Sequence, residues 1–371
     1  MVCTVMMLSD TSFFIELDWL VNLKLGSQPY IIMLRRLSTT TASAAESLRH
    51  RALPSITDWI SPQPSHLLSL CLAPYLRTSP SNATNRSSPR RSGELPPGHH
   101  LVYFPPQLPE ELLLPDGSDS EQHPGPPWTR RLWAGGSVVF DDHEPLQLHD
   151  EAVLRERVES VQAKPESGGG GGGGDRLFVC FRREIFRVSA AEGKPAAKPA
   201  ITERRCLAFL PPLPPHHQQQ QQQQQRLLRP KAEAHFRETF TPSQHLLFRF
   251  SALTFNAHRI HYDWRYATGP HEGHRDILCH GPLAVVLLLG LLQKQLGPVG
   301  GQGRARVTAF EYRCLVPMVV GEPYSVAGRW RDTGAGGGGG TSKVELWAET
   351  PQGGIGVRGT ADIECCDASV V

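Results

Sequence analysis

The chain has 371 residues, of which 39% are hydrophobic and 20% charged, with 35 glycines and 32 prolines. That length accommodates two or three domains, and the lean apolar content with so much Gly and Pro implies compact units separated by long loops and linkers. A formal charge of +2 supplies no general field for nucleic acid or a membrane surface. The eight cysteines show no CxxC spacing, which excludes a small-domain disulfide framework and reads as free, mostly buried thiols in a reducing compartment.

Residues 1–32 match no targeting segment. From Met33, the run MLRRLSTTTASAAESLRHRALP has four arginines, many Ser, Thr and Ala, and Glu46 as its single acid. That composition suits a mitochondrial transit peptide, so residues 1–52 are expected to be a disordered extension, with translation starting at Met33. Residues 53–76 predict a short structured piece with Leu67, Leu68, Leu70, Leu72 and Leu76 on a helix, and 78–97 a linker rich in Ser, Pro and Arg. LVYFPP (101–106), RLWAGGSVVF (131–140) and RLFVCFRREIFRVS (176–189) carry the aromatic and β-branched residues of strands. The first unit, 53–210, is therefore a mostly antiparallel sheet with little helix.

Seven glycines at 168–174 and five at 336–340 read as loop expansions between strands, because closure entropy grows slowly with loop length. Eight glutamines at 218–225 lie in a Pro/Gln-rich linker, 211–230, that separates the halves. In the second unit, 231–371, a long helix is followed by strands at 307–317, 323–330, 342–349 and 356–364, all alternating or nearly so. One helix and four consecutive strands make an α+β unit whose sheet wraps the helix.

Phe248 to Leu296 joins a polar segment to the one long apolar run. Pro282–Leu296 predicts a helix with Pro in its first turn, apolar on every face. At about 22 Å it is short of the roughly 30 Å of a bilayer core, so it is a buried helix and not a membrane span. Gly281 precedes it, where free backbone amides and the helix dipole favour a developing oxyanion. Upstream, Asn256, His258, His261 and Asp263 fall within eight residues.

Phe250 to Asp263 followed by CHGPL resembles the hydratase motif of MaoC-type hot-dog proteins. LTFNAHRIHYD, HGPL, RRLWAGGS (130–137) and LLLPDGSD (112–119) are together similar to the fungal mitochondrial hydroxyacyl-thioester dehydratase type 2 family. The resemblance covers about residues 53–371 and implies a double hot dog, antiparallel sheets each wrapped around a central helix, with a degenerate N-terminal repeat and a catalytic C-terminal one. It implies reversible dehydration of (R)-3-hydroxyacyl thioesters of acyl carrier protein or coenzyme A in mitochondrial fatty acid synthesis, in the matrix. Carried over by position, the motif histidine falls on His261, the motif aspartate on Asn256, the motif asparagine on His258, and the oxyanion glycine on Gly281. An amide cannot exchange protons at neutral pH, so His261 has to carry proton transfer while Asn256 holds the hydroxyl or water. Asp263 or Glu272 is the alternative carboxylate, His280 a further supporting residue, and Leu283, Val286 and Leu287 the expected acyl-chain lining.

No cofactor or metal is required by this reading, no nucleic-acid partner is expected, and a homodimer is the assembly to look for. Three other readings remain. The pairs His258/His261 and His271/His274, with Cys279 beside His280, have spacings found in zinc sites, though no CxxC knuckle accompanies them. The fold could serve as an inactive acyl-binding module, or as a hydratase of mesaconyl or itaconyl coenzyme A.

Overall fold

The computed structural model describes residues 21–25, 28–32, 39–77, 88–141, 143–164, 175–213, 227–297, 305–331 and 342–365, with 21–25, 28–32, 39, 40 and 365 given by their backbone only. The glycine and glutamine tracts, Met33, Cys3 and Cys366 lie outside the described residues. β1 (Val21–Leu25) and β2 (Gln28–Ile32) form a separate antiparallel ribbon. The first half continues with α1 (Thr39–Arg49), β3 (Ile56–Trp59), α2 (Pro62–Leu76), β4 (Arg130–Phe140), β5 (Glu151–Lys164), β6 (Arg176–Arg187) and β7 (Ile201–Leu210). The second contains β8 (Phe236–Phe240), α3 (Gln244–Thr254), α4 (Trp264–Thr268), α5 (Gly281–Leu296), β9 (Ala305–Cys314), β10 (Tyr324–Arg331), β11 (Ser342–Glu349) and β12 (Ile355–Cys365).

β3 to β12 form one antiparallel sheet in the order β3-β5-β6-β7-β4-β9-β12-β11-β10-β8. Numbered within its own half, each set of five strands has the same order, first-third-fourth-fifth-second from the outer edge to the seam. The halves are thus mirrored about the β4–β9 pair, where Gly135–Val139 meets Arg313–Ala309. The double glycine of RRLWAGGS sits at this seam. A Cβ on Gly135 would lie 2.5 Å from the Tyr312 carbonyl oxygen, and one on Gly136 would lie 2.0 Å from that of Arg204. Close backbone approach on both sides therefore requires glycine.

α5 is apolar all round because it is covered all round. Leu283–Leu289, Leu291 and Leu292 are buried in one cluster with Leu68, Leu72 and Leu76 of α2, Phe310 of β9, Val326 of β10 and Leu346 of β11. Each such side chain contributes roughly 1.5–3 kcal/mol relative to exposure. Gly290 lets α2 approach, since a Cβ there would lie 2.7 Å from Leu76 Cδ1.

Three local expectations change, and one strand was not foreseen. LVYFPP is no strand: it opens in a 3-10 turn, His99–Val102, and runs on into Pro105 and Pro106, which cannot donate ladder hydrogen bonds. β5 was concealed by its charges: Glu151, Arg155, Arg157 and Glu159 are exposed along one face, while Ala152 and Leu154 are buried on the other, where Glu156 pairs with Arg183 at 2.8 Å. Residues 39–49, within the span expected to be a disordered extension, form α1, and its Ala45 and Leu48 are buried against Trp128, Val161, Leu177 and Val179. Cys180 and Cys206, expected as free thiols, are directly opposite on β6 and β7 and form a disulfide; their separation of 26 residues hides a pairing that strand register creates. Cys71, Cys279 and Cys314 are free.

Candidate active site

α3 begins at Ser243, whose side chain accepts from the Leu246 amide, and ends at Phe255 in a left-handed conformation (φ 51°) that turns the chain into the polar segment. There Asn256 Oδ1 accepts from the His258 amide at 3.0 Å, a local asparagine turn. That contact orients the amide, and its Nδ2 amino group is a donor for another partner. A 3-10 turn over Arg259–His261 then brings His261 inward.

His261 is pinned from the strand-like segment ahead of α5. Its Nδ1 lies 2.8 Å from the Leu278 carbonyl, while Leu278 N donates to Ile260 O at 2.9 Å. A carbonyl only accepts, so Nδ1 carries the proton and Nε2 holds the lone pair. Burial pushes the His261 pKa down to about 4, with Arg131 adding to the effect against the opposing Leu278 hydrogen bond. The ring is therefore neutral, with a basic Nε2, at physiological pH.

His280, fully buried at the N-cap of α5, stacks on His261 with centroids 3.7 Å apart and planes at 19°, and its Nε2 meets Ser251 Oγ at 2.8 Å. Parallel stacked rings direct their in-plane lone pairs side by side, so these two histidines do not converge on one ion. Gly281, the first residue of α5, lies tight against β4: a Cβ there would be 2.8 Å from Trp133 Cβ and Cγ. Trp133 is itself held by Nε1 donating to the Tyr312 hydroxyl at 2.9 Å and by the Arg205 guanidinium 4.7 Å over its ring.

These groups open on a cavity of about 1060 Å³ lined from both halves, with Asn256, His258, His261, His280 and Gly281 on one side and Asp119, Arg131, Trp133 and Arg205 on the other. Its apolar wall comes from Leu113, Leu114, Tyr103, Phe104, Phe248 and Phe250. α5 reaches it only through Gly281 and Pro282. Leu283, Val286 and Leu287, expected to line an acyl chain, are buried within the helix-on-sheet core.

The two carboxylates weighed as replacements for a motif aspartate are engaged elsewhere. Asp263 caps α4, accepting from Tyr266 N at 3.1 Å, and pairs with Arg259 at 2.7 Å. Glu272 is buried against Arg130 at 3.4 Å and Tyr266 Oη at 3.4 Å. The carboxylate that does approach is Asp116, of the PDGSD segment in the other half, with Oδ2 3.4 Å from His258 Nε2. This segment is clamped on the polar one: Arg259 N donates to Asp116 O at 2.8 Å, and a Cβ on Gly117 (φ 78°) would fall 2.0 Å from Ala257 O. Asp116, Arg131 and Trp133 were not assigned site roles from sequence, although the segments containing them carried the family resemblance; more than a hundred residues separate them from His261.

A family model described as hydroxyacyl-thioester dehydratase type 2 matches residues 98–320. The chain is 28% identical over 304 residues to the mesaconyl-C(4)-CoA hydratase of Chloroflexus aurantiacus, spanning 79% of this chain and 92% of that protein. It is also 28% identical over 249 residues to the mitochondrial hydroxyacyl-thioester dehydratase type 2 of Schizosaccharomyces pombe, spanning 62% of this chain and 77% of that one. Among solved structures, a MaoC-like dehydratase from Phytophthora capsici superposes with a TM-score of 0.54 at 17% identity, over 87% of this chain and 99% of that one, a likeness of fold.

Proposed function

The chain belongs to the hydroxyacyl-thioester dehydratase type 2 family and is a hydro-lyase that interconverts 3-hydroxyacyl and enoyl thioesters, and we propose that His261 is its proton-transferring base. The observation that carries this reading is the Nδ1 contact to Leu278 O, which leaves a neutral imidazole with a free Nε2 on the cavity. In dehydration, His261 Nε2 takes the C2 proton and the C2–H electron pair becomes the C2=C3 π bond. The C3–O bond breaks with its pair to oxygen, and the same proton passes from His261 to that oxygen, releasing water. The Gly281 amide, at the positive end of the α5 dipole, donates to the thioester oxygen as charge develops there. Asn256 Nδ2 donates to the departing oxygen.

The test is hydration of an enoyl thioester by purified protein, followed as loss of enoyl absorbance, on coenzyme A and carrier-protein forms of the substrate. His261→Ala is expected to lower kcat about a thousandfold. Full activity in that variant overturns the assignment, and inactivity of the wild type on every thioester favours a non-catalytic acyl-binding module. We place the protein in the mitochondrial matrix; the word mitochondrial in the names of two relatives supports the organelle, and fractionation of mitochondria tests the compartment.

A second reading of the substrate rests on Arg131. It lines the cavity, and burial lowers its pKa; Asp116 and Asp119 act on it electrostatically, but no carboxylate among the described residues pairs with it. A half-buried guanidinium on the cavity wall, with no carboxylate in ion-pair contact among the described residues, favours an acyl group bearing a second carboxylate, the chemistry named for the Chloroflexus relative. A kcat/KM for a dicarboxylic monothioester above that for a straight-chain enoyl thioester, reversed in Arg131→Gln, supports this reading.

A further inference from the structure

The sequence places an amide where hot-dog hydratases carry a carboxylate, and the structure brings a different carboxylate to the site from the opposite half. We infer that Asp116 is a positioning residue for the reaction: it holds His258 in the tautomer with hydrogen on Nε2, so that Nδ1 presents its lone pair to the hydroxyl that leaves C3, or to the water that adds there. The inference rests on the reading of His261 as base and assigns no proton transfer to His258.

Both groups are buried, with 7% of Asp116 and 3% of His258 exposed. Asp116 Oδ1 is taken by the Ser118 amide at 2.8 Å, leaving Oδ2 for His258 Nε2 at 3.4 Å. Nε2 makes no hydrogen bond among the described residues, and the Asp116 carboxylate is the acidic group that approaches it. A carboxylate only accepts, so the hydrogen belongs on Nε2. The separation is longer than a good hydrogen bond, and such contacts commonly shorten when substrate fills a site. Burial, reinforced by Arg131 and His261, holds the His258 pKa well below its usual value, so the ring is neutral and Nδ1 is an acceptor.

The role follows from what a hydroxyl needs. It has one hydrogen to donate and lone pairs to receive. Asn256 Oδ1 is turned onto the His258 amide, and its Nδ2 amino group supplies N–H donors. His258 lines the same cavity and stands edge-on to His261 at 5.6 Å between centroids. An acceptor at His258 Nδ1 and a donor at Asn256 Nδ2 complete a site for one hydroxyl or water beside the base. The wrong tautomer turns Nδ1 into a second donor and leaves the hydroxyl hydrogen without a partner.

Asp116→Asn tests this with little change of shape. The Ser118 amide requires an oxygen opposite it, so the new side chain presents its amino group to His258 Nε2 and drives the proton to Nδ1, as a mis-set tautomer does in other histidine sites. Hydration of an enoyl thioester is expected to lose on the order of a hundredfold in kcat. Its KM should change less than threefold, because that substrate has no C3 hydroxyl, whereas KM for the 3-hydroxyacyl thioester should rise. Nitrogen-15 spectra of histidine-labelled protein should show His258 as the Nε2–H form in the wild type and Nδ1–H in the variant. An Nδ1–H form in the wild type overturns the inference, and does so even if Asp116→Asn fails to fold; so does unchanged kcat in a folded variant. If Asp116→Asn is fully active while His261→Ala is inactive, this inference alone fails; full activity in His261→Ala removes the base assignment on which it rests.

Discussion

Histidine is a useful base in a closed site only when it stays neutral and one nitrogen is immobilised, and both conditions are met at His261 by ordinary means. Burial removes the imidazolium, and the Leu278 carbonyl fixes the proton on Nδ1. The same economy operates at Gly281, where the absence of a side chain lets Trp133 pack on the backbone of the helix start. Gly281→Ala must displace Trp133 or the first turn of α5, because the contacted atoms, Cβ and Cγ, cannot rotate away. We expect it to cost about 1–3 kcal/mol in denaturant unfolding and to reduce kcat more than tenfold, since oxyanion donors are worth roughly a hundredfold when well placed. Wild-type kcat and stability in Gly281→Ala would show that Trp133 gives way without moving the helix start.

α5 shows how one element can serve a site with its tip and the fold with its length. Its first two residues face the cavity, and the next turns are buried against α2 and against β9, β10 and β11. Leu287, 2% exposed, is therefore expected to act on stability and not on substrate choice. Leu287→Ala should cost about 2–5 kcal/mol as the core fails to close around the lost volume. The ratio of kcat/KM between short and long acyl thioesters should stay at the wild-type value, and a shift in that ratio without loss of stability would place this side chain on the acyl path.

Taken whole, the molecule stores its acid sensitivity in buried histidines on both sides of the seam. Burial pushes His99 down to about 3 and His100 and His261 to about 4, against 6.5 when unfolded. Above pH 6.5 these rings are neutral in both states and add no pH dependence. Below it the unfolded chain binds the protons first, so stability falls as pH drops toward 4, by up to about 1.4 kcal/mol per pH unit for each ring. Urea midpoints measured at pH 7, 6 and 5 should therefore decline progressively. A midpoint constant over that range would show that these rings reach solvent in the folded state.

Much of this protein was legible along the chain because the signals are local. Wall-to-wall apolar residues from Leu283 to Leu292 specify a helix that must be covered, and four alternating segments after it specify the sheet that covers it. Asn256, His261 and Gly281 could be singled out through the family resemblance that their local motif carries. Elements whose identity depends on a neighbour were not legible: β5 looks charged until its buried face meets β6, and Cys180 finds Cys206 only through strand register. The carboxylate of the site belongs to the same class. Asp263 and Glu272 were nearer in sequence, but a helix cap and a buried arginine hold them. Asp116 arrives from 142 residues before His258 because the mirrored halves meet there and Gly117 lets the two backbones touch. Spacing encodes what a segment contributes to itself; which distant group completes its chemistry is set by the packing of one half on the other.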